Sequence, residues 1–218
     1  NNDGRKDLLV GSADGSVKLF VNEGLEEAPA FGAGVDLMVG GGVLNVGAAA
    51  APAVVDYYGN GTKDLLVGNA AGQVLLFLNL GDDAAPELAA PIELLQAGAA
   101  AIPVPVDWDA DGQRDLLVTA GGQATVYVLV DGAYAPLVSF SSLLAEFNGV
   151  FPVDLDGVLG KEMVAADVTG EVHYLNGPND TYADSFYAAL ADKADELSGL
   201  VAVDAPALVA DANVIASL

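Results

Sequence analysis

The densest group of potential metal ligands in this sequence lies between residues 107 and 115. Oxygen-bearing side chains stand at positions 1, 3, 5, 7 and 9 of this nine-residue segment, with glycine at position 6 for a sharp turn and a backbone carbonyl offered at position 7. Oxygen donors at this spacing suit a hard cation that takes six to eight oxygen ligands, and calcium fits best. Magnesium demands a stricter octahedron, and transition metals prefer imidazole or thiolate, which the segment lacks. The candidate ligands are Asp107, Asp109, Asp111, Gln113 and Asp115.

Three other segments carry shorter versions of the same pattern. Their candidate ligands are Asn1, Asp3 and Asp7; Asp56, Asn60 and Asp64; and Asp154, Asp156 and Glu162. We expect weaker binding around Asp56, because Tyr58 stands where the strongest segment has an acid. The first segment lacks a residue at position 1, which Asp204 or Asp211 would supply if the C-terminus closed a ring. In the last segment Val158 replaces an oxygen donor, so the case for metal there is weaker.

These segments belong to an internal repeat, which indicates the architecture before any local propensity does. Each ends in an acid that begins an apolar run, and the first three acids follow one another at intervals of 57 and 51 residues. The runs are residues 7–11, 64–68, 115–119 and, less closely matched, 162–166. A proline follows the first three acids by 22, 22 and 21 residues, at Pro29, Pro86 and Pro136. Four of the seven basic residues directly precede the repeating acid, namely Lys6, Lys63, Arg114 and Lys161.

Within each unit the residue pattern is typical of β-structure. The apolar run is followed by a glycine turn such as Asp14-Gly15, then by a strand with apolar residues at every second position, as in residues 74–78. A second turn, an outer strand and a short apolar strand ending in aspartate complete four strands per unit. Four-stranded antiparallel sheets repeated every 40–50 residues or so are typical of β-propellers. We therefore predict an all-β fold, a β-propeller.

The predicted domain is single and spans residues 1–218. Its units are 1–52, 53–102, 103–149 and 150–200, followed by 201–218 as a closing strand or a partial unit. We prefer four blades, and five units or an incomplete ring remain alternatives. Residues 188–197 read equally well as a short helix or as a degenerate strand.

The motif Asp-x-Asp-x-Asp-Gly-x-x-Asp-Leu-Leu-Val, followed by a glycine turn and an alternating strand, resembles the FG-GAP/VCBS repeats of integrin-α-like propellers. The resemblance spans nearly the whole chain. It implies calcium between the first and second strands of each blade, an extracellular setting, and adhesive or binding roles. Some lectins and glycan-processing proteins use similar blades. Integrin-like propellers have seven blades, whereas this sequence holds four or five units.

Composition excludes several function classes. Thirty-one acidic residues against seven basic ones give a net charge of −24, which repels nucleic acid and anionic membranes. The absence of cysteine removes disulfides, thiolate nucleophiles and cysteine-bound metals. His173 is the single histidine and lies in an alternating strand, where a packing or surface role is expected. Acids outside the loops, such as Glu26 and Asp83, are expected to be solvated turn residues. We therefore predict no enzyme activity.

The sequence starts at Asn1 with neither an initiator methionine nor a basic-then-apolar leader, so we infer the compartment from the predicted calcium loops. Extracellular millimolar calcium fills sites of this kind, which favours a secreted or surface-displayed protein. We predict a non-catalytic, calcium-binding scaffold for binding, adhesion or assembly. Its expected partners are a protein or glycan ligand, or further copies in a head-to-tail array. The alternative is a lectin-like propeller or a non-catalytic part of a glycan-processing enzyme.

Overall fold

A computed structural model describes residues 3–109, 111–141, 147–153, 162–167 and 172–176. Within these residues all the regular structure is strand, so the predicted all-β class is confirmed for them. The predictions for Asn1, Asp154, Asp156, Val158, Lys161, residues 188–197, and Asp204, Asp211 and the rest of 201–218 lie outside the described residues.

The strands follow the predicted order in units two and three, and the first strands of units two, three and four begin at Ala51, Ile102 and Phe147, one to three residues before the predicted unit boundaries. Unit one contains β1 (Leu8–Gly11), β2 (Val17–Phe20), β3 (Val35–Asp36), β4 (Met38–Val39) and β5 (Gly42–Val43). Unit two contains β6 (Ala51–Val55), β7 (Asp64–Gly68), β8 (Gln73–Phe77) and β9 (Ile92–Gln96). Unit three contains β10 (Ile102–Val106), β11 (Asp115–Ala120), β12 (Gln123–Val130) and β13 (Ala133–Ser141). Unit four contains β14 (Phe147–Val153), β15 (Glu162–Asp167) and β16 (Val172–Asn176).

The predicted four-stranded antiparallel sheet forms in units two and three, in the orders β6-β7-β8-β9 and β10-β11-β12-β13. Unit one forms a three-stranded sheet, β1-β2-β3, and the described strands of unit four form another, β14-β15-β16. An unpredicted hairpin, β4-β5, turns at Gly40 and Gly41, whose φ angles of 59° and 83° favour glycine. Blade number and ring closure stay predictions.

Apolar clusters lie between consecutive sheets, which explains the uninterrupted Leu-Leu-Val runs. Leu65 and Val67 of β7 pack towards unit one, in a cluster with Val17 and Leu44. Leu66, between them in sequence, packs on the opposite face in a cluster with residues of unit three. Alternate side chains of one strand point to opposite faces, so a strand buried on both faces must be apolar throughout.

Strand register fixes where each predicted metal loop begins and ends. Val55 pairs with Asp64, and Val106 pairs with Asp115, so both loops connect neighbouring antiparallel strands at the same point. The glycine turns at the opposite ends of the central strands also form as predicted, with φ of 88° at Gly15 and 89° at Gly72. Each loop is therefore a rigidly anchored connection with both ends held by strand pairing.

Candidate metal centre

The repeating acid at loop position 9 is a buried anchor for the backbone. Asp115 is 1% exposed, and its carboxylate accepts hydrogen bonds from the backbone N–H groups of Trp108 at 2.9 Å and Leu129 at 3.3 Å. Burial raises the pKa of Asp115, the two N–H groups act to lower it, and the charges of Asp109 and Asp111 raise it. A cation placed beside this carboxylate would relieve the cost of burying its charge.

Asp107 has one buried carboxylate oxygen without a hydrogen-bond partner. Its Oδ2 accepts the backbone N–H of Gly112 at 3.1 Å, whereas its Oδ1 is buried and has no hydrogen-bond partner. Carboxylate oxygens of Asp107, Asp109 and Asp115 all lie within 4.8 Å of one another. Three converging carboxylates that include a buried, unpaired oxygen repel one another unless a cation lies between them, so the donor set fits a hard divalent ion.

Asp111 and Gln113 lie on the exposed side of the loop and are not in this group of three carboxylates. Asp111 accepts the backbone N–H of Gln113 at 2.7 Å and also the side-chain amide of that residue. This backbone hydrogen bond is the main cause that lowers the pKa of Asp111. The backbone N–H of Asp111 bonds instead to Asp109 at 3.2 Å. Metal ligation by Asp111 and Gln113 stays a prediction.

The loop of unit two has the same shape but satisfies its acid internally. Both oxygens of Asp56 accept backbone N–H groups, from Asn60 and from Gly61, each at 2.9 Å. Asn60 in turn accepts the N–H of Thr62 at 2.8 Å. Tyr58, at the position of Asp109, is 65% exposed. Because both oxygens of Asp56 are hydrogen-bonded, this loop is complete as a turn, and its lower metal affinity stays a prediction.

Asp64 and Asp7 hold the same anchoring role in units two and one. Asp64 is 3% exposed and accepts the N–H groups of Tyr57 at 3.1 Å and Asn79 at 2.8 Å. Asp7 accepts the N–H of Asn22 at 2.8 Å. Sequence reasoning assigned these acids to metal alone and missed that they tie two or three strands together.

The remaining predicted ligands are placed as follows. Asp3 lies beside Arg5, whose Nε donates to it at 3.0 Å. Glu162 begins β15 and pairs in register with Val153, as the repeat predicts.

Two of the basic residues that precede a repeating acid, Lys63 and Lys6, have acidic partners that sequence reasoning missed. Lys63 donates to Asp83 from its backbone N–H at 2.8 Å and from Nζ at 2.9 Å. Lys6 bonds Glu26 in the same way, through its backbone N–H at 3.0 Å and Nζ at 3.4 Å. Both acids follow their lysine by 20 residues. That shared spacing was the signal available in the sequence, and it corrects the expectation that Glu26 and Asp83 are merely solvated.

The aromatic residues at loop position 2 of units two and three pack between sheets. Trp108 packs on the cluster between units three and four, and Tyr57 on the cluster between units two and three. The hydroxyl of Tyr134 bonds to that of Tyr57 at 3.1 Å and to the backbone carbonyl of Arg114 at 2.6 Å. The loops of units two and three are thereby fixed to the following unit.

The sequence model of the family described as FG-GAP-like repeat matches residues 1–67 and 56–118, more than half of the chain. The chain belongs to the FG-GAP-like repeat family. Both matches include the loop and the apolar run that define a repeat here, and their overlap at residues 56–67 is the loop of unit two. The resemblance noted from the sequence is confirmed.

Other comparisons are more distant. Among curated proteins no match is found. Among solved structures, the crystal structure of the Saccharomyces cerevisiae Sqt1 is similar at a TM-score of 0.43 and 13% identity, over 81% of this chain. The matched region spans 43% of that structure's chain. No helix in the described part of the FG-GAP chain has the length and apolar character needed to span a membrane.

Proposed function

We propose that the chain is a non-catalytic, extracellular binding module whose unit-three loop is completed by calcium. The buried Oδ1 of Asp107 carries this proposal, since it lacks a hydrogen-bond partner and belongs to a carboxylate grouped with those of Asp109 and Asp115. Asp107, Asp109 and Asp115 would hold the ion, which would supply charge neutralisation and cross-link the two strand ends. Extracellular calcium sites of this class have dissociation constants of about 10⁻⁴–10⁻³ M. The millimolar calcium concentration outside the cell is therefore enough to fill the loop of a secreted protein.

Calcium titration by isothermal titration calorimetry tests the proposal. We expect saturable binding by the wild-type chain and at least a tenfold loss of affinity in Asp107→Asn, because the amide removes a charge from the carboxylate group. Asp131→Asn is the matched control, since it removes one charge at an exposed turn outside the loop. Wild-type protein without saturable binding at about 10 mM calcium, ten times the weak end of this class, would refute the site.

A second candidate function is carbohydrate binding at Tyr58. Its ring is 65% exposed and packs edge-on against Tyr57 at 5.0 Å, so it is a pre-positioned aromatic surface beside polar Asn60. Aromatic rings with an exposed face bind the apolar face of a sugar. A glycan array probed with wild type and Tyr58→Ala tests it. Hits that vanish in the variant support a lectin role, and an array without hits excludes it.

Self-association is the third partner hypothesis. Among the described strands, β1 lies at the edge of its sheet, and Leu8 and Val10 are 43% and 40% exposed. Exposed edge strands accept a strand from another chain. Sedimentation velocity across a hundredfold range of concentration, with calcium, tests for an array. A constant monomer mass would exclude it.

A further inference from the structure

Arg114, the basic residue before the repeating acid of unit three, contacts the neighbouring unit instead of pairing within its own. Lys6 and Lys63 hold the same repeat position in units one and two, and each pairs with an acid 20 residues further along. The residue 20 places after Arg114 is Tyr134, whose neutral hydroxyl donates to the backbone carbonyl of Arg114. Of the basic side chains in the described ranges, Arg114 alone forms no ion pair with a described carboxylate.

The side chain of Arg114 extends to the loop of unit two. Its Nε donates to the backbone carbonyl of Asp56 at 3.3 Å. Asp56 is position 1 of that loop, so the guanidinium charge lies beside the residue predicted as the first calcium ligand there. The hydroxyl of Tyr134 bonds both to the carbonyl of Arg114 and to the hydroxyl of Tyr57, the residue that follows Asp56. The two loops are therefore joined on both sides of Asp56.

A fixed positive charge at this place opposes a divalent cation in the unit-two loop. Like charges repel more strongly at a partly buried site than in bulk water, and the repulsion is doubled for an ion of charge two. Arg114 is partly buried, and its guanidinium cannot be deprotonated in a protein. Both carboxylate oxygens of Asp56 also accept backbone N–H groups, so an incoming ion would have to compete with these bonds as well.

We propose that Arg114 is a specificity-determining residue that makes the two loops unequal. Its charge keeps calcium out of the unit-two loop at concentrations that fill the loop of unit three. This inference deepens the proposed function and rests on it, because it takes both segments as calcium loops. What it adds is that the affinity of one loop is set by a side chain of the next unit.

Calcium titration of the full chain by calorimetry tests the proposal, with Trp108 fluorescence as a second readout. Trp108 is the single tryptophan and stands in the unit-three loop, so its fluorescence follows that loop, whereas the heat follows every loop that binds. Arg114→Gln is expected to tighten the weaker binding step by about three- to tenfold, the effect of removing one unit charge beside a divalent ion. The step seen through Trp108 should change less.

Two controls assign the gain to the unit-two loop. Asp56→Asn, added to Arg114→Gln, should remove the gain and leave the Trp108 step in place. Lys18→Gln deletes the same charge from β2 of unit one, where Lys18 pairs with Asp36, and should alter neither step. Arg114→Lys keeps the charge without the planar guanidinium, so its weaker step should stay close to that of the wild type.

Three results would overturn the proposal. They are an unchanged weaker step in Arg114→Gln, a gain of equal size in the Trp108 step, and a gain that persists when Asp56 is replaced. Failure of the proposed metal site is a different result, because the wild type would then show no calcium-dependent change in Trp108 fluorescence. In that case a binding step that appears in Arg114→Gln and disappears with Asp56→Asn would still support the role of Arg114.

Discussion

The Oδ1 atom of Asp64 accepts the backbone N–H of Asn79 at 2.8 Å, and both residues are buried. Its Oδ2 accepts the N–H of Tyr57 at 3.1 Å, so one carboxylate joins the loop to the end of β8. Asp115 repeats this arrangement in unit three. The recurring acid of the FG-GAP unit is thus a backbone anchor in its own right, whether or not an ion is bound.

Asp64→Asn is predicted to destabilise the fold in the absence of calcium. The amide offers one acceptor oxygen in place of two and turns an N–H₂ group towards a backbone donor. A buried N–H that loses its acceptor costs about 1–3 kcal/mol, so the free energy of unfolding should fall by that amount. Urea denaturation with a calcium chelator measures it. Asp131→Asn, at an exposed turn residue with φ of 51°, should leave stability unchanged.

The pairing of Lys63 with Asp83 predicts a pH-dependent contribution to stability. The backbone N–H and Nζ of Lys63 lower the pKa of Asp83 in the folded chain. Because the folded pKa of Asp83 lies below its unfolded value, the stability that its carboxylate contributes is present above the unfolded pKa. That stability is lost as the pH falls through the folded pKa. Asp83→Asn should therefore lower Tm at neutral pH, and its Tm difference from the wild type should shrink as the pH is lowered to about 2.

The control for Asp83 is Glu27→Gln, at an exposed acid in the loop that also holds Glu26. Its Tm difference from the wild type should be the same at both pH values. An Asp83→Asn deficit that persists unchanged at low pH would show that the residue contributes by packing rather than by its charge.

Gly68 is predicted to tolerate no side chain. A Cβ at this position would lie 2.0 Å from the carbonyl oxygen of Ala101 and 2.7 Å from Pro103. Gly68→Ala should cost at least about 3 kcal/mol of unfolding free energy, because the next unit's strand must move. Gly42→Ala is the control, since its nearest neighbour lies 3.9 Å away, and its effect should stay within about 0.5 kcal/mol. Equal stability of the two variants in urea would contradict this close packing.

Tyr134→Phe is predicted to loosen the contact between units two and three. Burial raises the pKa of Tyr134 strongly, and its hydroxyl is bonded on both sides by Tyr57 and the carbonyl of Arg114. Loss of these hydrogen bonds should cost about 1 kcal/mol per bond. Thermal melting measures the loss, and Tyr58→Phe, which alters an exposed hydroxyl, should melt with the wild type.

The sequence predicted the strands and the loops because both depend on local patterns. The alternation of apolar residues predicts β8, and the glycine turns predict the hairpins. The spacing of the acids predicts the group formed by Asp107, Asp109 and Asp115 in unit three. Partners at a distance were not predictable in the same way. The proline spacing aligns Pro86 with Pro136, so it predicts that Leu88 corresponds to a residue beyond Pro136. The strand pairing instead makes Tyr134 the counterpart of Leu88, because Tyr134 pairs with Leu129 across the short Asp131-Gly132 turn as Leu88 pairs with Asn79.

The difference between the metal loops was also beyond the sequence. Asp56 and Asp107 begin similar motifs, but which backbone N–H each oxygen accepts depends on the folded turn. The position-5 N–H goes to Asp56 in one loop and to Asp109 in the other, which leaves Asp107 Oδ1 free. The grading of the loops by spacing stays a prediction, and the hydrogen bonds supply a physical reason to expect it.

The most direct test of the central claim is the melting temperature of wild type and Asp109→Asn, each with calcium and with a chelator. Calcium at about 100 times its dissociation constant stabilises a folded chain by about 2.7 kcal/mol, which corresponds to a rise of about 5–10 °C for a domain of this size. The account predicts that rise in the wild type and its near absence in Asp109→Asn, which should melt no lower than the wild type in chelator because the amide relieves the repulsion among the three carboxylates. An equal calcium response in the two proteins would contradict it.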